Sequence, residues 1–242
     1  MAGKDFYLVF NIHSNMELIK SFFDFVMNLD SHLFTMIIDY GPWVYALLFG
    51  IIFIETGVVV LPFLPGDSLL FAAGTFCAGV MNKAGETAQL NLSICLLLLI
   101  AAAFLGDSLN YYLGKTIGLK ALSWKIGGKQ LVKPKYIDQT QEFYVEHGSK
   151  AIIVARFVPI VRTFAPFVAG IGNMHYKKFI KYNLIGGVAW VLLLVFVGYF
   201  FGNLSFVKNN FEIVTLGIII LSLIPVVYGY FKEKSKYKQN LE

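Results

Sequence analysis

Long apolar runs separated by short polar stretches organise this chain. The runs cover residues 43–61, 63–80, about 92–113, 182–202 and about 211–230. A helix needs about 20 mostly apolar residues to cross a bilayer, and most of these runs reach or approach that length. The pattern predicts an all-α integral membrane protein that crosses the bilayer several times.

Residues 16–38 follow a different pattern, in which apolar side chains recur every three or four positions. One helical face is formed by Leu18, Phe22, Val26, Leu29, Leu33 and Ile37. The opposite face is charged or polar, which is typical of a helix lying along the membrane interface. Gly41 and Pro42 are expected to end this helix.

Two of the apolar stretches contain helix breakers together with charged residues. The first, "ETGVVVLPFLPGD", carries Glu55 and Asp67, and the second, "RFVPIVRTFAP", carries Arg156 and Arg162. These are the only arginines of the chain. The breakers expected at the helix breaks and hairpin tips are Pro62, Pro65, Gly66, Pro159 and Pro166.

The arginine segment is a poor candidate for a plain transmembrane helix. Two arginines at the bilayer centre cost about 5–7 kcal/mol on the insertion scale, and the apolar residues around them recover about 3–7 kcal/mol. Each interior proline adds about 3 kcal/mol against a continuous helix. Broken backbone at this depth is tolerated only inside protein or beside a water-filled cavity, so the segment is expected to be enclosed by the rest of the chain.

Lysine clusters indicate how the chain is oriented. They lie in residues 115–135, in "YKKFIK", and in the C-terminal tail, 231–242. Positive loops favour the cytoplasm, and all three clusters fall there only if the arginine segment enters and leaves on one face. The pattern therefore predicts a re-entrant hairpin and a cytoplasmic C-terminus.

The two halves of the chain share one plan: an interfacial helix, a broken segment with two charges, and a full span. If each half crosses once, the second is inverted, and the two hairpins meet near the midplane as in inverted-repeat transporters. The predicted organisation is an N-terminal segment 1–15, a single membrane domain 16–230 and the tail 231–242. Within the membrane domain lie a first repeat of about 16–113, a basic loop 114–135, a second repeat of about 136–202 and a final span 211–230.

Composition supports this class and limits the partners. The chain of 242 residues is 57% hydrophobic and only 14% charged, against about a quarter charged residues in soluble domains. Its net charge of +5 suits anionic lipid headgroups, and no basic motif points to nucleic acid. Cys77 and Cys95 lack metal-ligand spacing and are expected to pack as apolar side chains. No metal or other cofactor is expected.

The charged residues suggest transport chemistry. Arg156 and Arg162 present planar donor forks that match phosphate oxygens, so they are the candidate phosphate-binding residues. Glu55 and Asp67 would be ionised beside arginine and would take up protons when a phosphate competes for it, so they are the candidates for proton coupling. A second set, near the cytoplasmic end of a span, could line the mouth of the substrate path or anchor the interface: Asp107, Asn110 and Tyr112.

The chain also resembles a known family. The stretches "FIETGVVVLPFLPGDSLLFAAG", "GDSLNYYLGKTIG", "FYVEHGSKAIIVARFVPIVRTFAPFVAGIGNM" and "YNLIGGVAWVLLLVFVGYFFG" resemble the motifs of the bacterial DedA family, which is related to the VTT domains of eukaryotic lipid scramblases. The resemblance implies an inner-membrane lipid transporter that favours undecaprenyl phosphate and uses the proton gradient. It also implies that Glu55, Asp67, Arg156 and Arg162 are functional. Lys115 departs from the arginine expected in that motif.

Several alternatives remain open from the sequence. They are a general phospholipid scramblase, for example for phosphatidylethanolamine, and a proton-coupled cation transporter that maintains the membrane potential. The charges would otherwise serve only as neutral pairs that hold the hairpins together. An enzyme is disfavoured because no metal cluster or Ser/His/Asp arrangement is evident. Membrane lipids and protons are the expected partners, and assembly into a homo-oligomer is left open.

Overall fold

The structure is a computed structural model of the chain. It describes residues 29–58, 66–81, 84–121, 125–126, 129–130, 134–202, 204–205 and 217. The predicted N-terminal segment, the first part of the interfacial helix, almost all of the final span, and the basic tail lie outside the described residues.

Helices account for nearly all of the described chain. They are α1 (Leu29–Tyr40), α2 (Trp43–Gly57), α3 (Gly66–Cys77), α4 (Leu92–Ala121), α5 (Pro134–His147), a 3₁₀ turn (Gly148–Lys150), α6 (Ala151–Ala155), α7 (Pro159–Ile171) and α8 (Tyr176–Phe201). The departures from the all-α prediction are two antiparallel pairs of two-residue strands: β1 (Val80–Met81) with β2 (Thr87–Ala88), and β3 (Lys125–Ile126) with β4 (Lys129–Gln130).

Within the described chain, α4 and α8 are the helices long and apolar enough to cross a bilayer. Helix α4 has 30 residues and continues to Ala121, beyond the predicted span end at about residue 113. The first part of the predicted basic loop is therefore helical. Helices α2 and α3 have 15 and 12 residues, and at about 1.5 Å per residue each is shorter than the roughly 30 Å of a hydrocarbon core.

Each broken segment contains an extended valine next to the helix it adjoins. Val58 follows α2 with φ −114° and ψ 105°, and Val158 precedes α7 with φ −116° and ψ 103°. Val158 stands before Pro159, whose ring disfavours helical backbone in the preceding residue. Pro159 itself fits the first helical position, where no N–H is needed.

Pro166 does not break the helix, contrary to the prediction from its sequence position. It lies inside α7, which continues to Ile171. A proline within a helix removes one backbone hydrogen bond, and the burial of Phe164, Phe167 and Val168 around it offsets that loss.

Pro62 and Pro65 lie outside the described residues. Gly41, with φ 50°, follows the last residue of α1, so the predicted helix end is confirmed there.

The helices of the two halves exchange partners. Helix α2 packs on α4 and α6 packs on α8, each within its own half of the chain, whereas α3 packs on α8 and α7 packs on α4 across the halves. Both cross-half contacts use glycines: a Cβ at Gly74 would collide with the backbone of Val195, and one at Gly170 with the backbone of Tyr111. The backbones therefore touch at both crossings, and the largest apolar core is formed by α1, α2, α3, α4 and α8.

Candidate functional site

Five ionisable side chains from five parts of the described chain meet between these helices. Glu55 comes from the last turn of α2, Asp67 from the first turn of α3, and Asp107 from the middle of α4. Arg156 follows α6, and Arg162 lies in the first turn of α7. The three carboxyl groups thus come from the first half of the chain and both guanidinium groups from the second.

Arg162 joins both carboxylates of the first broken segment. Its Nη1 donates to Asp67 Oδ1 at 2.6 Å, and its Nη2 donates to Glu55 Oε1. The side chains of Arg162 and Glu55 are 15% and 4% exposed. Charged hydrogen bonds of this kind are about twice as strong as neutral ones, so Arg162 binds α7 to both α2 and α3.

Arg156 has a different set of partners. Its Nη2 donates to Asp107 Oδ2 and, at 2.6 Å, to Asn183 Oδ1. Asn183 Nδ2 donates weakly to the carbonyl oxygen of Phe104 at 3.4 Å, which orients its own oxygen towards the guanidinium. The side chains of Arg156 and Asp107 are 4% and 7% exposed. The two arginines therefore occupy two separate ion-pair clusters.

Trp190 lies beside both clusters. Its ring centroid is 4.9 Å from Cζ of Arg162 and 5.7 Å from Cζ of Arg156, within the range of cation–π attraction. Its indole N–H donates to Asp67 Oδ1 at 3.0 Å. Trp190 is thus in contact with three of the charged residues.

Asn110 connects the two broken segments through their backbones. Its Nδ2 donates to the carbonyl oxygens of Thr56, at 3.1 Å, and Thr163, at 2.9 Å. Thr56 lies in the last turn of α2, where carbonyl groups lack helical partners. A single amide on α4 therefore binds the end of α2 and the first half of α7.

The structure separates Asp107 and Asn110 from Tyr112, the third residue predicted to line the mouth of a path. Both side chains are buried inside the cluster, whereas Tyr112 is 61% exposed. The physical reason is helical geometry, since positions 107 and 110 share one face of α4 and position 112 turns away from it.

Glycines make room for the charged groups. A Cβ at Gly66 would overlap the Glu55 carboxylate, and one at Gly186 would come within 3.2 Å of Arg156 Cδ. A Cβ at Gly187 would lie 3.4 Å from Arg156 Nη2. Gly66, predicted as a helix breaker, is the first residue of α3, and its missing side chain allows the carboxylate to sit against the backbone.

Sequence reasoning missed Asn183 and did not assign Trp190 to the site. A usable signal was present on α8, because Asn183, Gly186, Gly187 and Trp190 are spaced three, four and seven residues apart. This spacing places an amide, two glycines and an indole on one helical face. Apolar residues on the other faces of α8 concealed the pattern in a simple hydropathy reading.

Three buried polar atoms of the cluster find no hydrogen-bond partner within the described chain: Glu55 Oε2, Asn110 Oδ1 and Arg156 Nε. The described residues also contain no group of three His, Cys, Asp or Glu side chains placed to hold a metal ion. With all groups ionised, the three carboxylates and two guanidinium groups described here sum to one negative charge. The arrangement can thus bind a proton or reorganise around an incoming charged group.

Comparisons with known proteins agree with this membrane architecture. A VTT domain family model matches residues 62–200. "Protein DedA" of Escherichia coli (strain K12) is 47% identical over 219 residues, covering 90% of this chain and 96% of its own. "Inner membrane protein YghB" of the same strain is 31% identical, with 85% and 86% covered. "Inner membrane protein YqjA" is 30% identical, with 76% and 80% covered.

No solved structure matches the chain significantly. The similarity to DedA covers nearly the whole of both chains, and the matched VTT region contains Asp67, Asp107 and both arginines. It also agrees with the helical fold and the membrane-length helices described above. The chain is therefore a membrane protein and belongs to the DedA family of VTT-domain proteins.

Proposed function

We propose that this protein moves a lipid with an anionic phosphate headgroup, undecaprenyl phosphate, across the bacterial cytoplasmic membrane. The observation that carries the proposal is the pair of arginines between helices that break inside an apolar fold: Arg156 is buried and paired with one carboxylate, and Arg162 is partly buried and paired with two. Buried charges need partners, and intramembrane ionisable residues mark transport paths more often than stable scaffolds. Both arginines can bind phosphate oxygens through their planar forks.

The proposal includes two re-entrant hairpins related by an inverted repeat. It is supported by the shortness of α2, α3 and α7, by the similar backbone of Val58 and Val158, and by the exchange of helix partners between the halves. In such an architecture the broken segments meet near the midplane from opposite faces. A headgroup could then pass between them while its polyprenyl chain stays in lipid.

Proton coupling follows from the carboxylates. A phosphate monoester carries about −1.5 to −2 charges at neutral pH, and it competes with Glu55 and Asp67 for Arg162. A carboxylate that loses its arginine in a buried site favours the neutral form. The proposed cycle therefore exchanges lipid phosphate against protons without covalent chemistry, as expected of a transporter rather than an enzyme.

The proposed orientation places the C-terminus in the cytoplasm, because the lysine clusters fall on one side in this topology. Membrane lipids and protons are the partners in this proposal. A second candidate, proton-coupled cation transport, is favoured by one observation: the described cluster contains one more carboxylate than arginine. Scrambling of phosphatidylethanolamine is the remaining alternative function.

Purified protein in liposomes provides the test. Transbilayer movement of undecaprenyl phosphate is measured with and without a pH gradient, for the wild type and for Arg156→Lys and Arg162→Lys. Phosphatidylethanolamine serves as the competing lipid, and a potential-sensitive dye reports cation movement. Faster movement of the polyprenyl phosphate that both substitutions abolish supports the proposal. Movement of only phosphatidylethanolamine or only cations contradicts it.

A further inference from the structure

The two arginines use different nitrogens for the bonds to their protein partners. Arg162 donates from both terminal nitrogens, to Asp67 and to Glu55. For Arg156 the described hydrogen bonds all leave from Nη2, and its buried Nε has no partner in the described chain. Arg156 therefore keeps a buried donor, Nε, that an incoming anion can bind.

Asp107 is the only carboxylate paired with Arg156 among the described residues. Asn183 also accepts from Arg156, but its amide carries no charge and its orientation is supported by the carbonyl of Phe104. If Asp107 loses its negative charge, Asn183 still holds the guanidinium in place. Arg156 thus has one acceptor whose charge stays constant, Asn183, and one whose charge can change, Asp107.

A phosphate oxygen that binds Arg156 would place a second anion beside Asp107. Two like charges in a poorly solvated site strongly disfavour each other, and the usual result is that one takes up a proton. Among the described residues, Arg156 from the turn after α6 binds Asp107, and Asn183 from α8 accepts from the same Nη2 of Arg156. Arg162 and Glu55 lie in the neighbouring cluster across the Trp190 ring.

We propose that Asp107 is the exchangeable counter-ion of Arg156: a headgroup phosphate displaces it from the guanidinium, and it accepts a proton as it is displaced. The proton comes from the aqueous phase and bonds to Oδ2, the oxygen that releases Nη2. When the phosphate leaves, the proton leaves and the ion pair forms again. This proposal rests on the proposed function and adds a proton acceptor separate from Glu55 and Asp67.

Proton uptake on ligand binding tests the proposal. Geranylgeranyl phosphate, a soluble prenyl monophosphate, is titrated into purified protein in weakly buffered detergent with a pH-indicator dye, and binding is measured in parallel by calorimetry. Wild type is compared with Asp107→Asn and with the matched control Asp138→Asn, because Asp138 is exposed on α5. By linkage, Asp107→Asn should take up about one proton fewer per ligand, and its affinity should depend less steeply on pH.

Infrared difference spectra of the wild-type protein give a second measurement that does not depend on one variant folding. Binding of geranylgeranyl phosphate should produce one protonated-carboxyl component that persists in Glu55→Gln and Asp67→Asn and is missing from Asp107→Asn, where any components from Glu55 and Asp67 remain. Unchanged proton uptake in Asp107→Asn, or no protonated-carboxyl band in the wild type, would overturn the role of Asp107 while leaving phosphate binding intact. Failure of the wild type to bind the prenyl phosphate at all would overturn the proposed function and this inference together.

Discussion

Replacing Gly66 by alanine tests whether the Glu55 carboxylate occupies its position against α3. A Cβ at residue 66 would overlap that carboxylate. Glu55 can escape only by moving away from Arg162, to which it is bound. Overpacking of this kind costs about 1–3 kcal/mol. At about 2–4 °C per kcal/mol for a chain of this size, the apparent Tm should fall by about 2–12 °C.

Gly50→Ala is the matched control. Gly50 lies in α2, and a Cβ there meets no atom within 4 Å among those described. Alanine at an unstrained helical glycine stabilises by about 0.4–1 kcal/mol, so this variant should be as stable as the wild type or slightly more stable. Replacing glycine by alanine is thus expected to lower the apparent Tm at position 66 and to leave it unchanged or raise it at position 50.

A double-mutant cycle tests whether the clash with Glu55 causes the loss of stability in Gly66→Ala. In a Glu55→Ala background no carboxylate remains to be displaced, so Gly66→Ala should lose its cost and resemble Gly50→Ala. Apparent Tm is measured by fluorescence-detected size-exclusion chromatography after heating, and lipid movement is measured in liposomes. The placement of Glu55 would be refuted if Gly66→Ala matched Gly50→Ala in the wild-type background, or if its cost were the same in both backgrounds.

Substitutions at Arg162, Trp190 and Asn110 test the remaining contacts. Arg162→Lys keeps one charge but loses the fork that joins two carboxylates. One charged hydrogen bond is worth about 1.5–3 kcal/mol, so lipid movement should fall at least about tenfold. An unchanged rate would contradict the role of the two-pronged guanidinium. Trp190→Phe should slow transport less than Trp190→Leu, because phenylalanine keeps an aromatic ring beside both arginines and loses only the hydrogen bond to Asp67. The control Trp43→Phe, at an exposed position, should have no effect. Asn110→Ala removes this donor from the carbonyl group of Thr56 at the end of α2, at a cost of about 1–3 kcal/mol, so its apparent Tm should fall. Equal stability would argue against the connection.

The helical membrane class and the charged residues of the broken segments follow from local sequence features. Apolar run length identifies α4 and α8, and the energetic cost of an arginine in lipid requires Arg162 to be enclosed by protein. The symmetry of the two halves predicted that carboxylates of the first would approach arginines of the second. The contacts of Arg162 with Glu55 and Asp67 agree with that expectation.

The partners of Arg156 could not be predicted in the same way. Asp107 reads as the polar end of a span because hydropathy does not reveal which face of α4 turns inward. Its burial depends on the close crossing of α4 with α7, at Gly114 and Gly170, which is a tertiary property. Pro166 departs from the predicted helix break for a related reason, since the packing around α7 outweighs the local preference of proline to end a helix.

In the proposed cycle, transport and stability depend on the same bonds. Arg162 and Asn110 connect α7 to the end of α2, and Arg156 connects the turn after α6 to α4 and α8. An anion that occupies the arginine donors therefore weakens contacts between the two halves of the chain at the place where it binds. Truncating an arginine leaves buried carboxylates unpaired at a cost of about 3–5 kcal/mol, so loss of transport in such a variant reports stability as much as recognition. Substitutions that keep charge or shape, such as Arg162→Lys and Asp107→Asn, separate the two effects because they preserve most of the packing that holds the halves together.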